Sequence, residues 1–152
     1  MNLPSLITDN ITELLVKIIE FTQSRQKILT QNINNIHSSG FVPKDLAVDE
    51  FSGVLKNTIN EHSRSQRLVL CDTENIKFGT AGSFEVKPSV DRYAKELLEE
   101  NRDAYLDLQI NKLFENSLNQ RIAAELLRQK QGMISNLSKK LIAKANEKTD
   151  GK

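Results

Sequence analysis

Apolar residues recur every three or four positions through the first part of the chain, from about Ile7 to Ile36. This spacing places them on one face of an α-helix. Thr8 or Asp9 is a candidate cap for its start, because either side chain can accept a hydrogen bond from a backbone N–H of the first turn. A helix of this length would extend about 44 Å, several times the usual three turns.

The first helix is expected to end at residues 37–40. Gly40 is suited to the left-handed conformation that terminates helices, and Pro43 opposes continuation. Apolar residues at helical spacing then predict a shorter helix from Asp45 to Ser63.

Helical spacing is lost in the segment 68–90. Residues Leu68 to Cys71 have the composition of a strand, and weak alternation at 76–78 and 83–86 predicts short extended pieces separated by glycines. Pro88 is expected to close this insert.

Helical spacing returns from about Asp91 to Asn146, and the sequence of this stretch holds no proline and one glycine, Gly132. One unbroken helix would be about 80 Å long. A break is expected near residues 100–103, where polar residues interrupt the spacing. Residues 148–152 are expected to form a disordered tail.

These elements predict a mainly α protein. Long N- and C-terminal amphipathic helices would pack as an antiparallel coiled-coil-like pair, with a short irregular or β-containing insert between them. The expected organisation is an N-terminal helix over 1–36, a connecting segment over 37–90, a C-terminal helix over 91–147 and the tail.

The composition favours thin, elongated packing over a thick core. Hydrophobic residues make up 38% of the chain and aromatic residues 5%, whereas globular domains usually contain about 45–50% apolar residues. The net charge of +1 provides no strong attraction to nucleic acid or to anionic lipid, so neither partner is expected. No apolar run reaches the roughly 20 residues of a membrane helix, and a Sec-type signal peptide is not expected.

Candidate catalytic and metal-binding residues are sparse. His37 and His62 are the only histidines in the sequence, and neither stands at metal-ligand spacing from Cys71 or Asp72. Surface histidines and a small apolar cysteine are therefore expected, and neither a metal nor a cofactor is predicted. Cys71 lacks a neighbouring base that would make it a nucleophile.

The other charged and glycine-rich motifs favour structural roles over catalytic or phosphate-binding ones. The carboxylate pairs Asp49–Glu50 and Glu99–Glu100 are adjacent on helices and so do not face each other. The loop 79–82 lacks the Gly-Lys-Ser/Thr of a phosphate loop. Lysines at 139, 140, 144 and 148 suit a helix C-terminus, although they could also contact an anionic partner. The chain is not expected to be an enzyme.

The stretch from Phe21 to Asp45 reads FTQSRQKILTQNINNIHSSGFVPKD. It resembles the signature of bacterial flagellar rod and hook proteins, in which an amphipathic helix ends in a pattern close to A-N-x-x-N-x-x-T-P-G-Y. Asn32, Asn35, Gly40 and Phe41 hold the matching places, and Arg25-Gln26 precede them at the family's spacing. The family's Thr and Pro are replaced by Ser38 and Ser39.

The C-terminal half carries a second match. Asn116-Ser117-Leu118, Leu126-Leu127 and Gly132-Met133-Ile134 resemble the terminal helix of proximal rod proteins, and residues 87–91 resemble the segment before it. The resemblance covers both ends, roughly half of the chain. It is to the flagellar basal-body rod family, of the FlgB-type proximal kind. Residues 92–101 look like an insertion relative to that family.

The resemblance implies a structural subunit of the flagellar basal-body rod. Such proteins polymerise through their terminal helices into the axial drive shaft that spans the periplasm, and they are exported without a cleaved signal peptide by the flagellar type III apparatus. Implied partners are further copies, other rod proteins, the inner-membrane (MS) ring or rod adaptor, and the export gate. The residues expected at the assembly interface are Ile11, Leu15, Ile18, Arg25, Leu29, Asn32, Asn35, Gly40, Phe41, Asn116, Leu118, Ile122, Leu126 and Met133.

Two other functions are compatible with parts of the sequence. A cytoplasmic helical adaptor or coiled-coil scaffold would have the same long helices, but it leaves the Asn-x-x-Asn…Gly-Phe stretch unexplained. A small enzyme would need its site in the insert at 68–90, where no acid, base and nucleophile converge.

Overall fold

A computed structural model describes residues 3–80 and 84–149. Its helices are α1 (Leu3–Asn34), α2 (Val48–Ser65), α3 (Arg92–Glu100) and α4 (Arg102–Thr149). Its strands are β1 (Lys44–Asp45), β2 (Ile76–Phe78), β3 (Phe84–Val86) and β4 (Ser89–Val90). The prediction of a mainly helical chain with a small insert of short strands is confirmed. No helix within these described residues is long and apolar enough to cross a membrane.

Helix α1 begins at Leu3, so the capping role predicted for Thr8 or Asp9 is wrong: both lie within the helix. The helix ends at Asn34, and a turn follows over residues 35–40. The backbone of Gly40 has a φ of +72°, the left-handed conformation predicted for it. Hydrogen bonds within the turn stabilise this bend, including Ser38 N to Asn35 O at 2.9 Å.

After the turn, the chain forms a two-stranded antiparallel ladder that sequence reasoning did not predict. Strand β1 pairs with β4, with Lys44 opposite Val90 and Asp45 opposite Ser89. The Asp91 N–H donates to the Pro43 carbonyl at 3.0 Å and extends the pairing. This ladder brings Asp45 and Asp91, which are far apart in sequence, to neighbouring places at the start of α3.

A small apolar core joins α1, α2 and the antiparallel pair of strands β2 and β3. It is built around the buried side chains of Phe21, Leu46, Phe51 and Ile76. The rings of Phe21 and Phe51 stack with centroids 4.1 Å apart. Few residues contribute to this core, in keeping with the low apolar content of the chain.

The insert contains two of the three extended pieces that its sequence predicts. Strands β2 and β3 form an antiparallel hairpin in which Ile76 is opposite Val86, which confirms the extended pieces predicted at 76–78 and 84–86; Ser83 lies outside the described residues. The strand predicted from Leu68 to Cys71 is wrong, because this segment is irregular chain. Its backbone groups form hydrogen bonds outside any sheet. The Val69 carbonyl, for example, accepts a hydrogen bond from Thr58 Oγ1 at 3.2 Å.

The break predicted near residues 100–103 is present at Asn101, whose backbone φ of −153° interrupts the helix. The Asn101 side chain accepts from the Ala104 N–H at 3.1 Å and so caps α4. Residues 92–100, within the segment that resembles an insertion, form α3, and Asp91 caps its start through Ala94 N at 3.0 Å.

Helix α4 has 48 residues and extends about 72 Å. Asn32, late in α1, forms a hydrogen bond with Gln109, early in α4. Thr22, earlier in α1, forms one with Asn116, which lies about two turns further along α4. The two helices are thus in contact in opposite chain order. Helix α4 continues through Thr149, into the segment predicted to be a disordered tail; residues 150–152 lie outside the described residues.

The left-handed turn at Gly40 gives a first prediction. A Cβ added there would meet no atom within 4 Å, so Gly40→Ala should cost only the backbone strain, about 1–2 kcal/mol of unfolding free energy in urea titrations. The matched control is Gly53→Ala, which is equally open but lies inside α2. It should stabilise the protein by roughly 0.5–1 kcal/mol. Equal effects of the two substitutions would contradict this account of Gly40.

Candidate assembly site

Four charged side chains from four parts of the chain meet between α1 and α4 and form what we call the charge cluster: Arg25, Asp45, Asp91 and Lys112. Arg25 donates to both Asp45 carboxylate oxygens, from Nε at 2.8 Å and from an outer guanidinium nitrogen at 3.0 Å. Lys112 Nζ donates to Asp45 at 3.0 Å and to Asp91 at 2.6 Å. Two positive and two negative groups therefore neutralise each other where α1, β1, the start of α3 and α4 converge.

The cluster is shielded enough to shift the acidity of its members. Burial opposes ionisation of Asp45, but the hydrogen bonds and positive charges of Arg25 and Lys112 outweigh it, so the pKa of Asp45 lies below its usual 3.8. Burial likewise disfavours charged Lys112, and the bonds to Asp91 and Asp45 outweigh it, so its pKa is raised. Both groups are held in their ionised forms at neutral pH.

A second polar constellation, the polar clamp, consists of Asn32, Lys44, Tyr105 and Gln109. Asn32 Nδ2 donates to the Lys44 carbonyl at 2.8 Å and to Gln109 Oε1 at 3.0 Å, and Asn32 Oδ1 accepts from Lys44 N at 3.2 Å. The Tyr105 hydroxyl donates to the Asn32 carbonyl at 2.9 Å. The Asn32, Tyr105 and Gln109 side chains are fully buried, so α1, β1 and α4 are joined through one asparagine.

Burial also affects the Tyr105 hydroxyl. Loss of solvent, with the nearby negative charge of Asp91, raises the pKa of Tyr105 to about 12. The hydroxyl therefore stays protonated and keeps its hydrogen bond to α1 over the whole neutral range.

A third polar contact continues the same seam. Asn116 is buried, and its Nδ2 donates to the Thr22 carbonyl at 2.7 Å. That carbonyl lies within α1, where it is also the acceptor of a backbone hydrogen bond of the helix. The face of α4 that contacts α1 thus carries Tyr105, Gln109, Lys112 and Asn116, and is mostly polar until Ala123.

One row of large apolar residues on α4 is about half exposed or more, although its last two members, Ile122 and Leu126, also line a cavity with Leu15 and Phe21 of α1. We call this row the outer ridge: Ile110, Phe114, Leu118, Ile122 and Leu126, each four residues after the last. Phe114 is 76% exposed, and the other four are between 46% and 51% exposed. Residues four apart form a continuous row on a helix. Large apolar side chains left in water as one row indicate a surface that another protein covers.

A second exposed row, the distal ridge, continues on the far half of α4: Met133, Leu137 and Leu141. All side chains described between 131 and 148 are exposed. About 28 Å of helix therefore extends beyond the part of α4 that has buried or half-buried residues. Most of the stability of helices in proteins comes from packing of an apolar face, so a partner that covered this row would stabilise the segment.

The residues predicted for the assembly interface fall into two groups. Five are buried inside the subunit and hold its own helices together: Leu15, Arg25, Leu29, Asn32 and Asn116. The remaining nine are at least partly accessible: Ile11, Ile18, Asn35, Gly40, Phe41, Leu118, Ile122, Leu126 and Met133. Contact with a neighbouring subunit stays a prediction for this second group.

Several residues of the site were missed by sequence reasoning. Asp45 and Asp91 entered only as the bounds of predicted segments, and Lys112, Tyr105 and Gln109 were not singled out. A signal was present in the sequence, because polar residues at 105, 109, 112 and 116 recur with the helical spacing of a buried face. Periodicity alone does not reveal that this face is the inner one.

The residues considered for catalysis are dispersed in the structure. Cys71 is exposed on irregular chain, so the expectation of a small apolar strand residue is wrong. His37 is exposed in the turn after α1, and His62, in the last turn of α2, contacts Asn10 Nδ2 at 3.3 Å. Glu50 accepts two hydrogen bonds from Asn75, which lower its pKa. Within the described ranges, no three potential metal ligands cluster.

The polar clamp predicts a large difference between two asparagines three residues apart. Asn32→Ala removes three hydrogen bonds and leaves buried groups of Lys44 and Gln109 unpaired, which should lower the unfolding free energy by roughly 2–4 kcal/mol. Asn35 bonds only to Gln31 and Ser38 at the surface, so Asn35→Ala should cost less than about 1 kcal/mol. Urea unfolding of both variants measures this, and a similar loss in each would refute the clamp.

The charge cluster predicts a pH dependence. Because the pKa of Asp45 is lowered on folding, its stabilisation is complete above pH 3.8 and is lost as the pH falls through the folded value. Asp45→Asn should cost roughly 3 kcal/mol at pH 7, because it leaves Arg25 without its carboxylate and Lys112 with Asp91 alone. This deficit should shrink below pH 3.8, where the parent also loses the charge.

Unfolding free energies at pH 7, 5, 3 and 2 would measure the effect, with Asp107→Asn on the exposed face of α4 as the control. A constant deficit for Asp45→Asn across that range would show that the charge of Asp45 is not what stabilises the junction. At the alkaline end, ionisation of Tyr105 should destabilise the parent protein between pH 10 and about 12.

Known proteins were compared with this chain in three ways. Neither family models, nor curated proteins, nor solved structures gave a match. The function proposed below therefore rests on the contacts of this chain's own residues.

Proposed function

We propose that this chain is a structural subunit of the bacterial flagellar proximal rod, which polymerises through its terminal helices into the axial drive shaft. The observation that carries the proposal is the orientation of α4: buried polar side chains contact α1, whereas Ile110, Phe114 and Leu118 are about half exposed or more. A subunit whose longest helix has its apolar row uncovered is suited to burial in an assembly.

The residues of the family resemblance support the same function. Asn32 and Arg25 tie the end of α1 to the chain beyond Gly40, and Asn116 ties α4 to the middle of α1. We infer that the two terminal helices form an antiparallel coiled-coil-like pair, with these polar groups setting its register. Such a pair is a stiff element that can transmit torque within a lattice, with no catalytic residue required.

The proposal includes a route and partners. The subunit would be exported without a cleaved signal peptide by the flagellar type III apparatus and would contact further copies, other rod proteins, the inner-membrane ring or rod adaptor and the export gate. Each Å² of apolar ridge covered by a neighbour would contribute about 25 cal/mol. Several neighbours in a helical lattice would add their contributions.

Mass spectrometry of detergent-purified basal bodies from the source organism, with the gene intact and deleted, tests the proposal. We expect the protein in wild-type basal bodies and inner rings without a rod in the deletion strain. Rods that form normally without this protein would favour a cytoplasmic helical adaptor, which could use the same outer ridge for another partner.

The outer ridge predicts which substitutions stop assembly. Leu118→Asp with Ile122→Asp should abolish rod formation, because two charges would be placed where a neighbour removes water. Both side chains are about half exposed, but Ile122 also lines a cavity with Leu15 of α1, so a thermal unfolding transition of the soluble variant has to show that it folds. The matched control is Ile59→Asp with Val69→Asp, equally exposed but outside α4. Assembly by the ridge variant, or failure of the control, would contradict this role.

A further inference from the structure

The two ends of α4 carry opposite charges. Between residues 96 and 107 the sequence has one basic residue, Arg102, and acidic residues at 96, 99, 100, 103 and 107. Between residues 127 and 149 it has one acidic residue, Glu147, and basic residues at 128, 130, 139, 140, 144 and 148. The start of the helix in one copy therefore attracts the end of the helix in a second copy, whereas two basic ends repel each other.

Two aspartates extend the first part of the outer ridge toward the start of α4. Asp103 and Asp107 are exposed, and the positions 103, 107, 110 and 114 advance by steps of four, three and four. Alternating steps of three and four keep side chains on one stripe of a helix, as in the seam of a coiled coil. We call this stripe the acidic seam: Asp103, Asp107, Ile110, Phe114 and Leu118.

Two lysines extend the distal ridge in the same way toward the end of α4. Lys144 and Lys148 are exposed, and the positions 148, 144, 141 and 137, taken backwards along the chain, also advance by four, three and four. We call this stripe the basic seam: Lys148, Lys144, Leu141, Leu137 and Met133. Every member of it is exposed.

The two seams match position by position when their helices run in opposite directions. The opposed residues are then Asp103 with Lys148, Asp107 with Lys144, Ile110 with Leu141, Phe114 with Leu137, and Leu118 with Met133. Each of these pairs is either oppositely charged or apolar on both sides. The next pair in the same alignment would bring Arg121 to Lys130, so the contact ends at Leu118.

Parallel helices give a poorer match. In the parallel alignment that brings the two apolar rows together, each residue lies opposite the one 23 positions later, and Asp103 lies opposite Leu126. A carboxylate against an apolar side chain loses water without gaining a partner, and Leu126 already lines a cavity with α1. In the same alignment Arg121 lies opposite Lys144, and their like charges repel. Charge complementarity therefore favours the antiparallel orientation.

We propose that the basic seam of one copy binds the acidic seam of a second copy, with the two α4 helices antiparallel. The two seams face different directions, because positions 114 and 137 are rotated from each other by about 140° around the helix axis. A copy bound at one seam therefore leaves the other seam free for a third copy, and the assembly stays open. This inference specifies an interface for the proposed function and rests on it in that both require self-assembly.

Cysteine cross-linking of the purified protein tests the orientation. In a Cys71→Ser background, a protein with Ile110→Cys is mixed under mild oxidation with one that carries either Leu141→Cys or Met133→Cys. The antiparallel contact places Ile110 opposite Leu141 and about 12 Å along the axis from Met133, which is beyond the reach of a disulfide.

We expect a mixed disulfide with Leu141→Cys and none with Met133→Cys. A mixed disulfide with Met133→Cys as the main product would indicate parallel helices and overturn the proposal. Disulfides between two copies of the same variant as the main product would indicate a contact between like seams, which would also overturn it.

Charge reversal tests the two ionic pairs. Asp103→Lys with Asp107→Lys should weaken assembly about tenfold in sedimentation velocity at low salt, because two attractions become repulsions. Lys144→Glu with Lys148→Glu should do the same. All four changes together preserve the net charge of +1 and should restore assembly to within about threefold of the parent.

The matched control is Glu61→Lys with Glu74→Lys, which changes the net charge by as much as the aspartate reversal does. Both residues are exposed and lie outside the two seams, so this variant should assemble like the parent. A four-fold variant that has the parent's thermal unfolding transition but does not recover assembly would show that the seams do not pair.

Other outcomes separate this inference from the proposed function. If the protein is found in basal bodies but gives no Ile110–Leu141 disulfide, the inference fails and the proposed function stands. If that disulfide forms while rods assemble normally without the protein, the proposed function fails and the inference stands. A protein that stays monomeric but sediments with phosphatidylserine–phosphatidylcholine vesicles would assign the lysines to a membrane surface and overturn the inference.

Discussion

The polar seam between α1 and α4 is the interaction on which the rest of the subunit depends. Asn32, Tyr105 and Gln109 are buried there, and a buried polar group without its partner costs roughly 1–3 kcal/mol. Sliding one helix along the other by a turn would break these bonds together. Hydrogen bonds that only one alignment satisfies therefore set the register of the two helices more strictly than apolar contacts would.

The seam also explains why α4 exposes its apolar residues. The face of α4 that contacts α1 is occupied by polar groups, which form hydrogen bonds with the backbone and side chains of α1. Ile110, Phe114 and Leu118 are left with about half or more of their surface in water. Specificity within the subunit thus comes from one face of α4, and the association we propose would use another.

The charge cluster joins the seam to the rest of the fold. Lys112 lies between Asp45, from the first ladder, and Asp91, which also caps α3. The cluster is neutral as a whole, so its burial is tolerated only while all four groups remain in place. The turn at Gly40 is what returns the chain from the end of α1 to β1 and delivers Asp45 to Arg25.

The spacing of apolar residues was sufficient to predict the helices and the break before α4, because local periodicity and capping are properties of neighbouring residues. Gly40 was predictable for the same reason. The β1–β4 ladder was not, since it pairs residues 44 and 45 with residues 90 and 89 and its two-residue strands carry no pattern. The partners of Arg25, Asn32 and Lys112 were likewise decided by the tertiary structure. By itself the sequence determined that α4 has an apolar and a polar row; only the packing against α1 decided that the polar row faces inward, because that side alone supplies its hydrogen-bond partners.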